Sequence, residues 1–318
     1  MRRVGPHGRH AATDATATWH RRAGKPGCAR VDMVRPCRVV GDVATFDLGG
    51  VVLTRVPYFD IGLDPAAVGL TVEDLQAAGP SGVPWTDGEQ VLVGQAVWVV
   101  ASGGRTLVVD PCGAADTFIR SGPAALEHQR NVVVALEDAG FALDDVDVVV
   151  LTHLDGIGMA AGLDDAAHWH PLFPRARVVL TRRELDHLAT EPEVMGLGGL
   201  QALEDAGVVD GVDDLVELAP GVTLEHTGCH SPGHAVIHLR GEREAATMLG
   251  HLALSPIDFA VDRMLPNHEE PEAADALLRR LASEAADDGR LLVGPLWPWP
   301  GACRLVDGPR DPRPATPS

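Results

Sequence analysis

The sequence lacks the features of a membrane protein, a secreted disulfide scaffold or a cysteine-based zinc site. It contains no run of about 18 apolar residues, so no membrane-spanning helix is expected. Its five cysteines are odd in number and never spaced C-x-x-C, which argues against disulfide pairing; they are Cys28, Cys37, Cys112, Cys229 and Cys303. The arginines near the amino terminus are not followed by the apolar stretch of a secretory signal. We therefore expect a cytoplasmic protein with reduced thiols.

Basic charge is scarce except at the amino-terminal end. The net charge is −19, yet residues 1–38 hold nine basic and only two acidic side chains. An acidic body repels nucleic acid and anionic membranes, so neither is expected as a partner. Residues 1–38 lack a periodic apolar face and are rich in Gly, Pro and Ala, which predicts a disordered basic extension. Met33 is a second candidate for the start of translation.

The rest of the chain, residues 39–306, is predicted to form one folded domain, because hydrophobic residues make up 45 % of the sequence and can supply a core. Val43–Val56 and Ala96–Asp110 are typical of β-strands, the second as a hairpin that turns at Gly103–Gly104. The Pro-, Gly- and acid-rich residues 57–94 predict a flap or loop insertion with one short helix at 72–78. The Pro-rich residues 307–318 predict a disordered tail.

The two halves of this domain follow similar patterns. Asp145–His153 is a largely apolar run ending on polar residues, as in a strand buried on both faces. Strands followed by helices in each half predict two sheets packed face to face with helices outside, an α/β (α+β, four-layer) αββα sandwich. The other predicted strands are Ala176–Thr181, Val222–His226, Val236–Arg240, Ala246–Leu249 and Arg290–Val293, and the helices are Asn131–Gly140, Arg182–Ala189, Met195–Ala206 and Pro271–Ala286.

Polar residues cluster where predicted strands end, which is where sheets of this kind place their sites. Four such segments are Thr152–Gly158 (THLDGIG), Thr227–His234 (TGCHSPGH), Leu249–Pro256 (LGHLALSP) and Gly294–Gly301 (GPLWPWPG). Together and in this order they resemble the metallo-β-lactamase superfamily, most closely its lactonase and methyl parathion hydrolase branch. The resemblance runs from about Val43 to Arg304.

The resemblance implies a rewritten metal site. Active members of the family carry H-x-H-x-D-H, a His before the [ST]-P-G-H turn, a bridging Asp and a late His. In this sequence His153 and His230 match the first and third motifs, Asp155 replaces the second His, and His251 replaces the bridging Asp. The positions associated with a second metal hold Ile157, Gly158 and Leu296, whose side chains cannot coordinate a cation.

We therefore expect at most one metal ion, held by His153, Asp155, His230 and His251, because one imidazole nitrogen serves one cation whereas a carboxylate can bridge two. Zinc or iron suits such a donor set. Two other interpretations stay open. The same residues could act without metal as acids and bases, with Asp155, His153 and His230 catalytic, or the chain could be a ligand-binding pseudoenzyme.

The resemblance gives supporting roles to other residues. Asp110 matches an Asp that orients a histidine, and His234 matches the His that closes the turn. Cys229 beside His230 is either an activated thiolate or a small packing residue, and Cys112 is a packing residue. Ile157, Leu296 and Trp297 are predicted to line a substrate cleft, with core packing as the alternative for Trp297 and Trp299. His168 and His170 have ligand-like spacing but are expected at the surface.

These features predict an enzyme acting on a small, fairly apolar carbonyl compound such as an ester or lactone. Ile157 stands where the family has the Asp that orients hydroxide, so a lyase or cyclase reaction in natural-product biosynthesis is an alternative to hydrolysis. A mononuclear iron oxygenase is a further alternative, since the superfamily contains one-iron dioxygenases. The expected partner is a small-molecule substrate, and a homodimer is left open.

Overall fold

Seven strands of the first half form one sheet. The computed structural model describes residues 42–78, 84–111, 123–153, 160–166, 168–190, 197–261 and 268–318, so the predicted extension 1–38 lies outside the described residues. The strand order in this sheet is β1-β2-β3-β4-β5-β8-β9. The strands are β1 (Ala44–Asp47), β2 (Val51–Leu63), β3 (Val91–Ser102), β4 (Arg105–Val109), β5 (Val148–Val150), β8 (Arg177–Thr181) and β9 (Val209–Val212).

A second sheet of seven strands comes from the other half, in the sequential order β10 to β16. Among the described strands of this sheet, β13 and β14 are the one parallel pair, whereas β4, β5, β8 and β9 form a parallel run in the first sheet. The strands are β10 (Leu215–Ala219), β11 (Val222–His226), β12 (Ala235–Arg240), β13 (Ala245–Met248), β14 (Leu291–Val293), β15 (Ala302–Leu305) and β16 (Pro312–Pro314).

Helices cover the outer faces of both sheets, and a small hairpin of β6 (Ala161–Leu163) and β7 (Trp169–Pro171) stands beside them. In the described part of the chain, 3₁₀ turns lie in the connections at Pro65–Val68, Leu143–Asp145 and Gly250–Leu252. The α-helices are α1 (Val72–Ala77), α2 (Pro123–Asp138), α3 (Arg182–Leu188), α4 (Leu197–Asp205), α5 (Ile257–Ala260) and α6 (Pro271–Asp288). None of the helices in the described ranges has both the length and the apolar character needed to cross a membrane.

The hydrophobic core shows the predicted four layers. Trp98 packs with Leu224 and Ile237 between the two sheets. Val97, its neighbour on β3, points to the opposite face and belongs to the cluster that α2 and α4 cover. A third cluster joins β14 and β15 to α6, whose buried stripe includes Leu281. Successive residues of β3 are thus buried on opposite faces, as expected of a strand inside a sandwich.

The predicted flap is more regular than its composition indicated. β2 continues to Leu63 and pairs with β3 as far back as Val91. The beginning and the end of the predicted flap therefore form a long antiparallel ribbon. The register shifts between Pro57 and Phe59, and this bulge lets pairing resume beyond the proline, which cannot donate a ladder hydrogen bond. The short helix predicted at 72–78 is present as α1.

The prediction of a disordered tail was wrong for residues 307–318. Pro312–Pro314 form the edge strand β16 on β15, where prolines are tolerated because one side of the strand needs no partner. Ala315 is buried, and its amide donates to the carbonyl of Ala302. The amide of Ser318 donates to the carbonyl of Thr45 on β1, so this segment reaches from the second sheet to the first.

Candidate metal centre

Strand ends from both sheets converge at one edge of the sandwich. Thr152 and His153 follow β5, and the turn His230–His234 separates β11 from β12. The amide of Ala235, the first residue of β12, donates to the carbonyl of Thr152 at 2.8 Å, which joins the two sheets here. The ring centroids of His153 and His230 are 4.9 Å apart. The predicted convergence of these strand ends is therefore confirmed.

Three buried histidines form the centre of this edge. One ring nitrogen from each of His153, His230 and His251 can be chosen so that all three lie within 4.8 Å of one another. The closest pair is Nε2 of His153 and Nδ1 of His251, at 2.8 Å. Each of the three side chains is less than 10 % exposed. Three of the four predicted donors are thus brought together, and Asp155 lies outside the described residues.

Asp110 and Thr152 hold the ring of His153. The Asp110 carboxylate accepts hydrogen bonds from the Thr152 amide at 2.8 Å and from its hydroxyl at 2.6 Å. The same hydroxyl lies 2.9 Å from Nδ1 of His153. Because the hydroxyl donates its proton to Asp110, it can accept one from Nδ1 of His153, which leaves Nε2 of that ring as an electron-pair donor. The predicted support by Asp110 is therefore indirect, through Thr152.

The turn that carries His230 is fixed by the start of α3. The Glu184 carboxylate accepts hydrogen bonds from the Ser231 hydroxyl and from the Gly233 amide, both at 2.9 Å. Thr181, the N-cap of α3, donates its hydroxyl proton to the Gly233 carbonyl at 2.6 Å. A Cβ on Gly233 would lie 2.1 Å from the Glu184 backbone nitrogen. Only glycine permits this approach, so the turn and the helix position each other.

His251 lies on a short turn beside a fully buried histidine. The turn Gly250–Leu252 begins at a glycine with φ of 54°, and a Cβ there would lie 2.7 Å from Nε2 of His234. Nδ1 of His234 is bonded to the Thr227 hydroxyl at 2.6 Å, whereas Nε2 has no hydrogen-bond partner among the described residues. Burial, and then the neighbouring imidazoles, hold the pKa of His234 well below its usual range. His234 thus lies at the end of the turn, at the position that the resemblance gave it, and its Nδ1 is hydrogen-bonded within the turn.

The sequence analysis missed two residues at this edge. His268 is buried, and its Nδ1 lies 2.9 Å from Nδ1 of His230. Glu184, the other one, is only 1 % exposed. A Glu in the first turn of a helix is common for capping reasons, and a His in a polar loop gives no periodic signal, so neither position stands out in the sequence.

The other predicted residues differ in where the structure places them. Cys229 is buried, and this burial raises the pKa of its thiol, which favours the packing interpretation over an activated thiolate. His168 and His170 are exposed, as expected. Cys112, Ile157 and Gly158 lie outside the described residues.

Leu296 and Trp297 were predicted to line the cleft, and both belong to the core cluster under α6. The side chain of Trp297 is fully buried, and its indole N–H donates to the Ala253 carbonyl at 3.0 Å. This burial supports core packing, the alternative role. Trp299, two residues later, is 40 % exposed.

The three imidazoles are a donor set that could hold a metal ion. Two nitrogens bound to a tetrahedral zinc ion at 2.0–2.1 Å are about 3.3 Å apart. The 2.8 Å separation of His153 Nε2 and His251 Nδ1 is close to that value, and one nitrogen from each of the three rings lies within 4.8 Å of the others. Three imidazoles, one of them held by a threonine hydroxyl that donates to a carboxylate, are chemically suited to such a site.

Comparison with known families agrees with this architecture. The family model described as the metallo-beta-lactamase superfamily matches residues 91–294, more than half of the chain. This chain belongs to the metallo-beta-lactamase superfamily. None of the curated proteins with which it was compared matches its sequence.

Solved structures give the same fold at low sequence identity. The hydrolase AbOPH of the beta-lactamase superfamily superposes with a TM-score of 0.66 at 16 % identity, covering 88 % of this chain and 100 % of its own. AidC, a dizinc quorum-quenching lactonase, gives 0.66 at 16 % identity with 86 % and 97 % covered. A probable metal-dependent hydrolase from Staphylococcus aureus gives 0.65 at 17 % identity with 85 % and 98 % covered. These likenesses establish the fold.

Proposed function

We propose that this chain is a metal-dependent hydrolase of a small, largely apolar ester or lactone, with one metal ion held by His153, His230 and His251. The observation that carries the proposal is the buried group of three imidazoles, with donor atoms within 4.8 Å of one another at the meeting edge of the two sheets. The hydrolases and the lactonase among the similar structures support this class of reaction.

Zinc is the ion we propose, and iron is the alternative. When bound, zinc would polarise a carbonyl oxygen and lower the pKa of a coordinated water. The chain's own residues orient the donors: Asp110 and Thr152 fix the ring of His153, and Glu184 fixes the turn of His230. Asp155, two residues after His153, is proposed as a fourth donor or as a proton acceptor. Leu296, at the position of the family's late His, offers no ligand for a second ion.

A metal-free enzyme is the second candidate, and one observation favours it. Two pairs of imidazoles at the centre are within hydrogen-bond distance, His153 with His251 at 2.8 Å and His230 with His268 at 2.9 Å. Each pair can share a proton, so one ring could serve as a general base and its partner as the acid. In this case the rings would act on substrate with no ion between them.

Elemental analysis of the purified full chain separates these candidates. We expect one zinc per chain, together with hydrolysis of members of a panel of simple lactones and aryl esters. His230→Ala should lose both the metal and the activity. His170→Ala is the matched control, because His170 is exposed on β7 and does not belong to the group of three imidazoles, and it should retain both.

Four results would contradict the proposal. Full activity in the presence of a strong chelator, with no stoichiometric metal, would establish the metal-free candidate. One iron per chain with oxygen consumption would indicate an oxygenase. Two metal ions per chain would mean that the assignment of ligand positions is wrong. A chain that binds lactones without turnover and without metal would be a ligand-binding pseudoenzyme.

A further inference from the structure

His268 is in contact with the metal centre although nothing in the family motifs points to it. It is 4 % exposed and lies three residues before α6. Its Nδ1 is 2.9 Å from Nδ1 of His230, and the two rings meet edge to face with centroids 5.1 Å apart. The contact joins residues 38 positions apart in the chain, so tertiary packing creates it.

The segment around His268 is anchored by the main chain as well. The Glu269 amide donates to the carbonyl of His230 at 3.1 Å, and the Glu270 amide donates to the carbonyl of Cys229 at 3.0 Å. Glu270 is the residue immediately before α6. Two consecutive backbone hydrogen bonds therefore place the His268 ring against the His230 ring, and little freedom is left in how the rings meet.

We propose that His268 is a positioning residue that holds His230 in the orientation needed to bind the metal; this inference rests on the proposed function. His230 donates the proton on Nδ1 to Nδ1 of His268, and Nε2 of His230 is the nitrogen that faces the cation. Histidines that bind metals usually donate their other ring N–H to an acceptor, which fixes the tautomer and raises the basicity of the donor nitrogen. His268 serves His230 as Asp110 and Thr152 serve His153.

The geometry favours this role over a fourth ligand. Among the residues that the structure describes, the donors gathered within 4.8 Å of one another are His153, His230 and His251, and His268 is not in that group. A ring that contacts one donor from outside the group can orient that donor without touching the ion. In this arrangement Nδ1 of His268 is the acceptor of the hydrogen bond from His230.

Two substitutions and one control test the role. His268→Leu removes the acceptor and keeps most of the volume, whereas His268→Asn places an amide oxygen near the position of Nδ1. His170→Leu removes an exposed histidine and serves as the control. The zinc dissociation constant is measured by competition with a chromophoric chelator, and thermal melting of the zinc-free variants checks folding. We expect His268→Leu to weaken zinc binding about 10- to 100-fold. His268→Asn should recover most of the loss, and His170→Leu should change nothing.

A second measurement uses the unaltered chain without zinc and therefore needs no variant to fold. Long-range ¹H–¹⁵N NMR of the histidine rings reports which nitrogen carries the proton. We expect His230 to carry it on Nδ1. A proton fixed on Nε2 of His230 would overturn the inference, as would a folded His268→Leu variant that binds zinc like the unaltered chain.

The two measurements also separate this inference from the proposed function. If the unaltered chain binds no zinc, the proposed function fails, while the Nδ1–H tautomer of His230 still shows whether His268 positions the ring. If zinc is lost from His268→Leu as completely as from His230→Ala, and His268→Asn does not rescue it, His268 is a ligand and the positioning role is wrong.

Discussion

Arg55 is the largest charged side chain buried in the described part of the molecule, and it lies under the loop that leads from β14 to β15. It is fully buried, and its guanidinium donates to the carbonyls of Gly94 at 3.2 Å and Trp297 at 3.0 Å. Burial lowers the pKa of Arg55 to about 10, and the Asp60 carboxylate opposes that shift. The side chain therefore ties the β2–β3 ribbon to the Gly294–Gly301 loop at the cost of a buried charge.

We expect Arg55→Met to destabilise the chain by about 3–5 kcal/mol, because it leaves the negative charge of Asp60 buried without its cation. Arg55→Met combined with Asp60→Asn should recover much of that loss. Urea unfolding of the single and double variants measures both values and their coupling. Strictly additive losses would show that Asp60 and Arg55 do not compensate each other.

Individual site residues could be predicted where they follow a recognisable strand pattern in the sequence. His153 and His230 each come shortly after a predicted strand, so their meeting at one edge follows from the topology. His268 and Glu184 carry no such signal, because their burial depends on which distant segment packs against them. Burial of Trp297 could not be distinguished from cleft lining, since a large apolar side chain after a strand suits both.

At the scale of elements, the contact between α3 and the His230–His234 turn can be tested by a substitution at Gly233. Gly233→Ala should push the turn away from α3, because the new Cβ would lie 2.1–2.4 Å from Glu184 backbone atoms, which cannot yield. Since overpacking of this kind costs about 1–3 kcal/mol, we expect that loss of stability together with weaker zinc binding.

Gly211→Ala is the matched control for this prediction. Gly211 lies on the edge strand β9, and its added Cβ would meet the tip of the flexible Leu185 side chain at 2.8 Å. It should therefore change stability little and zinc binding not at all. Chemical unfolding and chelator competition on both variants provide the comparison. Equal effects at the two positions would indicate that the approach of Gly233 to α3 has no special importance.

Elements were predicted best where apolar residues repeat with a strand or helix period over several turns. The hairpin at Gly103–Gly104, whose two glycines adopt positive φ, and the helix α6, which begins at Pro271 as predicted, are examples. For the ribbon beyond Pro57 and for β16, the composition predicted a loop and a disordered tail, whereas the structure has strands. In both, tertiary partners satisfy the backbone of a proline-containing strand, and no local pattern reports those partners.

At the scale of the whole molecule, the three histidines proposed to bind the metal come from both halves of the chain. His153 follows the first sheet, whereas His230 and His251 belong to the second half. At a free zinc concentration about 100 times the dissociation constant, binding should stabilise the folded state by about 2.7 kcal/mol and raise the melting temperature by about 5 °C.

Differential scanning calorimetry with and without zinc measures that increase. His230→Ala should melt at the same temperature in both conditions, and magnesium should have no effect on the unaltered chain, since it prefers oxygen ligands. An equal increase in His230→Ala would show that zinc stabilises the protein at some other place.

The hydrogen bond from Ala235 to Thr152 is the backbone link between the sheets at this edge, and the histidines lie on both sides of it. A shared zinc ion would act there as a reversible cross-link, closing the chain between His153 and His230 much as a disulfide closes a loop. Without zinc, the contact between the two sheets around Thr152 and Ala235 should be the first part of the core to open. Hydrogen exchange at Ala235 would then be fast in the metal-free chain and slow in the loaded one, while exchange on the distant β2–β3 ribbon would be unchanged.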